Sequence, residues 1–128
     1  MKEQEKNNPT PSELAILQVL WQKGSATVRE VHDQLSSEKE VVYTTILKTM
    51  QLMVDRGMLK RTAKGRKHIY APVVEEGETQ DKLLDKFLNR TFGGSASKMV
   101  LRALGNYDAT NEEIDEIKKI LESNKKKK

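Results

Sequence analysis

The sequence predicts a mainly α-helical fold that carries one small β-hairpin. Three segments, which start at Thr10, Thr27 and Thr110, begin with a threonine followed three residues later by a glutamate. This spacing is typical of a capping box, in which the hydroxyl and the carboxylate bond the first free amides of a helix. Residues 58–63 and 66–71 instead read as two short strands around a turn at Lys64-Gly65, which indicates a hairpin.

The first two predicted helices supply the beginning of a core. The first starts with Pro11, stops at Gly24 and is apolar on almost every side, so we expect it to be the most buried helix. The second carries apolar side chains at the spacing i, i+3, i+7 from Val28, which places them on one face. Between the two helices, Ser25-Ala26 could form a brief strand.

A third helix is predicted within residues 41–57 and has one apolar and one polar face. An arc of roughly 120° on the helical wheel holds its apolar side chains, which are Ile46, Leu47, Met50, Met53 and Val54. Thr45 and Lys48 point the opposite way, Thr44 lies on the flank, and Gly57 supplies a stop. Hydroxyl and ammonium groups on a short helix suit phosphate oxygens and base edges. The alternative is a core helix with an ordinary polar outside.

Positive charge is concentrated next to this helix. The net formal charge is +4, yet residues 43–72 contain seven Lys or Arg and a single Asp. The turn of the hairpin carries Lys64, Arg66 and Lys67. A patch of one sign beside a helix lined with donors is typical of a nucleic-acid-binding protein. A solvated basic face without a partner is the alternative.

The order helix, brief strand, helix, helix and hairpin predicts a winged helix-turn-helix domain over residues 10–73. In that arrangement the third helix enters the major groove and the basic wing reaches the adjacent backbone. Arg29, at the start of the second helix, could hold a phosphate or could be an ordinary surface charge. We expect residues 1–9 to be a disordered lead-in.

Residues 74–124 are predicted to be a helical dimerisation region, in which three amphipathic helices follow an acidic bridge at 73–78, and residues 125–128 are a basic tail. A loop at residues 105–108 separates the last two helices. Short helices rarely bury this many apolar groups against one another, so we expect pairing with a second copy. The side chains expected to make this dimer are Leu83, Leu84, Phe87, Leu88, Val100, Leu101, Leu104, Ile114, Ile117, Ile120 and Leu121. The alternative is that the helices fold back on the winged helix as a monomer.

The composition argues against an enzyme. The chain has no cysteine, His32 and His68 are its only histidines, and no metal-ligand spacing, nucleophile–base pair or phosphate loop is visible. We therefore expect no cofactor and no metal. The sequence contains no apolar run of ~20 residues and no signal-peptide core, so a cytoplasmic protein without membrane insertion is the default. The rival function is a protein-binding module whose basic wing faces an acidic partner.

Several motifs resemble the penicillinase-repressor (BlaI/MecI) family. They are Trp21-Gln22-Lys23-Gly24-Ser25-Ala26-Thr27-Val28-Arg29-Glu30-Val31, then Tyr43-Thr44-Thr45-Ile46, Arg56-Gly57-Met58-Leu59 and Tyr70-Ala71-Pro72-Val73. The resemblance runs from about Pro11 to Leu121. It implies a homodimeric transcriptional repressor whose winged helix binds a double-stranded DNA operator with dyad symmetry and whose C-terminal helices form the dimer. It also implies that DNA contacts come from Tyr43, Thr44, Thr45 and Lys48, with backbone contacts from the wing.

The resemblance further implies how repression ends. Family members are inactivated when a membrane sensor linked to a protease leads to cleavage of an Asn-Phe bond in the C-terminal helices. The corresponding position here is Arg102-Ala103, and the nearest Asn–aromatic pair is Asn106-Tyr107. Both bonds are therefore candidate cleavage sites, and a different inducing signal stays open as the alternative.

Overall fold

The computed structural model of the protein describes residues 8–126. Within them the chain forms six helices and a two-stranded sheet, in the order α1 (Pro11–Lys23), α2 (Val28–Ser36), α3 (Tyr43–Asp55), β1 (Leu59–Lys64), β2 (Lys67–Pro72), α4 (Glu76–Phe92), α5 (Ala96–Asn106) and α6 (Asn111–Lys126). This confirms the predicted fold class. The predicted lead-in lies mostly outside the described residues, and α6 continues to the second residue of the predicted tail.

Two compact units divide the chain, Met1–Leu83 and Leu84–Lys128. The first unit continues past residue 73 because later residues contribute to it. The indole Nε1 of Trp21 donates a hydrogen bond to the carbonyl of Val74 at 3.0 Å, and Thr79 on α4 is buried. Among the described residues, none of the helices combines the length and the apolar character that a membrane crossing requires.

The three predicted capping boxes are confirmed. In each of them the threonine hydroxyl accepts from the third amide of the helix and the glutamate accepts from the threonine amide; the pairs are Thr10 with Glu13, Thr27 with Glu30, and Thr110 with Glu113. Helix α3 differs, since Val42 at its N-cap provides no side-chain hydrogen bond. Its first amides are consequently left to other acceptors.

Helix α3 ends in a Schellman arrangement around Gly57, the predicted stop. Gly57 has φ +79°, a left-handed conformation that costs glycine little because it has no Cβ. Its amide donates to the carbonyl of Val54 at 3.0 Å, and the amide of Met58 donates to the carbonyl of Met53 at 2.9 Å. This turn brings Met58 into the core directly after the helix.

One apolar core fills the first unit. Its buried members come from α1, α2, α3 and the base of the hairpin; they are Ile16, Leu17, Val19, Leu20, Ala26, Val28, Val31, Ile46, Met50, Met53, Met58, Leu59 and Tyr70. Helix α1 contributes the most buried residues, as predicted. Of the predicted brief strand at Ser25-Ala26, only Ala26 is paired: it forms an isolated bridge with Tyr70 through two backbone hydrogen bonds at 2.8 and 2.9 Å.

An ion pair between a buried carboxylate and a partly exposed guanidinium joins the start of α1 to the end of α3. Glu13 on α1 is almost fully buried, and its second carboxylate oxygen accepts from Nη1 of Arg56 at 2.6 Å. The first oxygen already accepts from the amide of Thr10 at 2.9 Å. A carboxylate out of water needs such partners, so Glu13 serves both the start of α1 and the end of α3. Sequence periodicity does not indicate this long-range pair.

The hairpin is confirmed, but its turn lies one residue later than predicted. The antiparallel register pairs Lys64 with Lys67, so the two turn residues are Gly65 and Arg66, where Lys64-Gly65 was expected. Gly65 has φ +65°, which places glycine at the first position of the turn, the preference of type II′ hairpins. The predicted placement was wrong because it would have required a positive φ at Lys64.

Two predicted connections in the C-terminal region were too long. The acidic bridge at 73–78 is shorter, because α4 already begins at Glu76 and includes Gly77. The loop at 105–108 also starts later, since α5 includes Gly105 and Asn106. A glycine inside a helix costs only about 1 kcal/mol relative to alanine, which the surrounding helical residues offset. Glycine alone was therefore a poor indicator of these boundaries.

Candidate nucleic-acid interface

The outer face of α3 carries the predicted polar side chains. Thr44, Thr45 and Lys48 are exposed, whereas Ile46 and Met50 on the opposite side are buried. The rest of the predicted apolar arc follows the same division, since Met53 is buried while Leu47 and Val54 pack partly buried against the core. Helix α3 is thus anchored on one side and presents hydroxyl and ammonium groups on the other.

Tyr43 begins α3 and is only partly exposed. The guanidinium carbon of Arg29 lies 5.2 Å from the centroid of its ring, a cation–π distance. The ring of His32 meets it edge-on, with centroids 5.5 Å apart. Tyr43 therefore packs against α2 and contacts Arg29 at the surface. The structure brings the predicted Arg29 and Tyr43 together.

The wing tip (Lys64, Arg66 and Lys67) is exposed on all three side chains. It lies along an open groove that is also lined by the start of α2 and by Tyr43 and Gln51 of α3. The cationic side chains of this groove are Arg29, Arg61, Lys64, Arg66 and Lys67. Such an arrangement creates the positive potential that attracts a phosphate backbone.

Arg61 lines the groove but was not among the predicted DNA contacts, although the pattern of the two strands indicates its position. It pairs with Tyr70 across the hairpin, and paired residues project from the same face of a sheet. Since Tyr70 is the buried residue of β2, its partner must lie on the face turned toward the helices. Strand alternation, counted from Tyr70, would have placed Arg61 in the groove.

A carboxylate also lines the groove. Glu30 accepts a hydrogen bond from the amide of Thr27 at 2.9 Å, and the Thr27 amide and hydroxyl lower the pKa of this carboxyl, with smaller contributions from Lys23 and Lys67. Glu30 is therefore held in its ionised form by its capping role. The groove keeps a clear excess of positive charge, because Glu30 is the one acidic side chain among its described lining residues.

Helix α3 thus offers two different polar surfaces. Its Tyr43 and Gln51 side faces the groove and the wing, whereas Thr44, Thr45 and Lys48 lie outside the groove lining, on the neighbouring face. A basic groove suits sequence-independent contacts with phosphates. Small hydroxyl side chains on a helix suit the edges of bases in a major groove.

The second unit leaves most of its large apolar side chains in contact with solvent. Helix α5 has no buried residue, and Leu101 and Ile120 are 72% and 61% exposed. Of the predicted dimer residues, the exposed ones are Leu84, Phe87, Val100, Leu101, Leu104, Ile114, Ile120 and Leu121. Leu88 and Ile117 are partly buried, as is Leu83 in the first unit. Exposed apolar area on this scale is typical of an interaction surface.

The two candidate cleavage bonds lie in different local structures. Arg102 and Ala103 are inside α5, where the carbonyl of Arg102 accepts from the side chain of Asn106 at 2.9 Å. Asn106 is the last residue of the helix, so its predicted position in a loop was wrong. Tyr107 follows with an extended backbone and is 77% exposed. The Asn106–Tyr107 bond is therefore at a helix end, where proteolysis concentrates.

The chain is similar in sequence to known repressor and regulatory proteins. The penicillinase repressor family pattern matches residues 9–123. The chain is 32% identical over 117 residues to a penicillinase repressor of Bacillus licheniformis, covering 91% of each. It is 24% identical over 110 residues to the methicillin resistance regulatory protein MecI of Staphylococcus aureus strain N315, covering 86% of this chain and 89% of that one.

A solved structure is also similar to part of the chain. The solution structure of the DNA-binding domain of the repressor BlaI superposes with a TM-score of 0.51 and 25% identity, over 56% of this chain and 88% of that chain. The match includes the winged-helix architecture described above. Together with the family match over most of the chain, this similarity establishes that the protein belongs to the penicillinase repressor (BlaI/MecI) family of winged-helix transcriptional repressors.

Proposed function

We propose that the protein represses transcription by binding, as a homodimer, a double-stranded DNA operator with dyad symmetry. The observation that carries the proposal is the basic groove between α3 and the wing, with Thr44, Thr45 and Lys48 on the adjoining face. The wing tip and Arg29 contact the backbone, while the outer face of α3 contacts base edges in the major groove. We propose that this takes place in the cytoplasm, where a bacterial repressor meets its DNA.

The first test of this function is the salt dependence of DNA binding. A dimer that neutralises about 6–10 phosphates should show a slope of log K against log salt of roughly −5 to −9. Fluorescence anisotropy with a labelled duplex, measured over a range of salt concentrations, gives this slope. A slope near zero would contradict the DNA-binding function and would favour a protein partner for the wing.

The outer face of α3 should determine which sequence is preferred. Replacing Thr44 and Thr45 together by alanine should reduce the preference for the operator by roughly 1–3 kcal/mol for each base edge that the variant no longer touches. Binding to random duplex and the salt slope should be unchanged, because neither residue carries charge. Both quantities come from competition binding with operator and random duplexes.

Thr49→Ala is the matched control for this double substitution. The hydroxyl of Thr49 donates to the carbonyl of Thr45 at 2.7 Å, one turn earlier in the same helix. This substitution also removes a hydroxyl and a methyl group from α3, but we expect it to leave the operator preference intact. Equal losses in the control and in the double variant would contradict the assignment of Thr44 and Thr45 to base contacts.

We further propose that the C-terminal helices form the dimer and that their cleavage ends repression. The exposed apolar side chains of α5 and α6 support the first part, since two copies could bury what one copy leaves in water. The exposed, extended Tyr107 supports a cut next to it, between Asn106 and Tyr107, in preference to Arg102–Ala103. A protease linked to a membrane sensor is the proposed partner for this step.

A further inference from the structure

His32 lies on α2, close to the start of α3, and none of the DNA contacts proposed above uses it. Its Nε2 is 2.7 Å from the backbone carbonyl oxygen of Val41. A carbonyl oxygen can only accept, so Nε2 must carry the hydrogen and donate it. Val41 directly precedes Val42, the N-cap residue of α3 that makes no side-chain hydrogen bond. His32 therefore fixes the backbone just before a helix start that lacks its own capping side chain.

The same side chain also contacts the first residue of α3. The His32 ring meets the Tyr43 ring edge-on at 5.5 Å, and Tyr43 in turn supports the guanidinium of Arg29 at 5.2 Å. Within the described part of the chain, the buried Nδ1 of His32 has no hydrogen-bond partner, and the carboxylate of Asp33 is 3.6 Å away. The hydroxyl of Ser36 lies 3.2 Å from Nε2. The short Nε2–Val41 bond is thus the strongest polar contact of the ring.

We propose that His32 is a positioning residue for sequence-specific DNA binding, because it fixes where α3 begins and which way its first turn points. This inference rests on the proposed function. Reading base edges requires that Thr44 and Thr45 be held to within a fraction of an ångström. Backbone contacts made by the wing tolerate more freedom. Removing the His32–Val41 bond should therefore weaken operator binding selectively, since the operator complex must then order the first turn of α3.

Two substitutions separate the contacts of this ring. His32→Phe keeps an aromatic edge against Tyr43 but cannot donate to the carbonyl of Val41. His32→Gln keeps a donor nitrogen at the position of Nε2 but removes the ring. The probes are the tightest duplex that the wild-type full chain selects from a random library and a random duplex of the same length. The preference is the ratio of the two association constants at one salt concentration.

We expect His32→Phe to lower the preference about tenfold, while binding to random duplex and its salt slope stay at wild-type values. His32→Gln should restore the preference to within about threefold of wild type. Ser36→Ala, which removes only the longer contact to Nε2, should match wild type. Melting temperatures from circular dichroism accompany each variant. If phenylalanine lowers the melting temperature, His32→Leu, which is smaller and also lacks the donor, is measured in its place and should show the same selective loss.

Two outcomes would overturn the inference. One is a wild-type preference in His32→Phe, or in His32→Leu where that variant takes its place, which would mean that the bond does not position α3. The other is an equal loss of affinity for both duplexes without rescue by His32→Gln, which would assign His32 to stability alone. Failure of the proposed function is distinguishable, because the wild-type protein itself would then show neither a preference nor a salt slope.

Discussion

A chain that ends at Arg102 should be monomeric and should bind its operator at least tenfold more weakly than the full chain. The truncation removes the end of α5 and all of α6 from each protomer, and with them Ile114, Ile117, Ile120 and Leu121. Burying each of these side chains is worth about 1.5–3 kcal/mol, so each protomer contributes at most roughly 6–12 kcal/mol to what the dimer loses. Even a third of that shifts the dimerisation constant by roughly one to three decades. Sedimentation equilibrium and operator titration measure both effects.

The matched control for this truncation is a chain that ends at Asn124. It removes the basic residues at the end of the sequence but keeps the four apolar side chains of α6, so it should remain dimeric with full operator affinity. A chain ending at Arg102 that stayed dimeric and bound undiminished would rule out release by cleavage in this region, whichever bond is cut. A monomer that still bound the operator tightly would separate dimerisation from repression and contradict the proposed mechanism.

Replacing the wing tip, Lys64, Arg66 and Lys67, by alanine should weaken binding to every duplex to a similar extent. The dimer then lacks these three phosphate-binding groups in both protomers, so the salt slope should flatten by up to about 5.4, since each phosphate neutralised adds about 0.9. At ~0.1 M salt this corresponds to a loss of up to roughly five decades in affinity relative to a 1 M reference. The ratio of operator to random binding should hardly change, because phosphates carry no sequence information. Anisotropy titrations with both duplexes at several salt concentrations measure all three quantities.

An equal change of charge elsewhere is the control for the wing. Lys118, Lys119 and Lys125 are exposed on α6, and their replacement by alanine removes three positive charges outside the groove. We expect this variant to bind with a nearly unchanged slope, because none of these lysines lines the basic groove. A wing variant that lost only its operator preference, or a control that weakened binding as much, would contradict the assignment.

Local signals in the sequence were sufficient to predict most of the first unit. The capping boxes marked the starts of α1 and α2, and the apolar arc identified which face of α3 is buried, because both effects depend on residues within one or two turns. The hairpin was found for the same reason. Its turn was misplaced by one residue, because the position of glycine within the run does not by itself show which turn residue has the positive φ.

Contacts between distant residues could not be predicted in this way. The pairs Glu13–Arg56 and Trp21–Val74 join residues 43 and 53 positions apart, and periodicity carries no information about which distant groups meet. The same holds for the donation from His32 to Val41, which depends on how α2 and α3 cross. After the hairpin the sequence predicted three helices, which the structure contains, but Gly77 and Gly105 misled about where they begin and end, because helical neighbours outweigh the low helix propensity of glycine.

Because of the register of the wing, added salt should affect the free and the DNA-bound hairpin in opposite ways. Lys64 and Lys67 are direct cross-strand partners at the end of the ladder next to the turn, and like charges opposite each other disfavour pairing. Added salt screens this repulsion and should make the tip of the unbound hairpin more stable. A DNA phosphate between the two ammonium groups turns this repulsion into a net attraction. Added salt then weakens that attraction. The cross-strand pairing at the wing tip should therefore be weakest in dilute buffer without DNA. This is also the condition under which an incoming phosphate backbone is attracted most strongly.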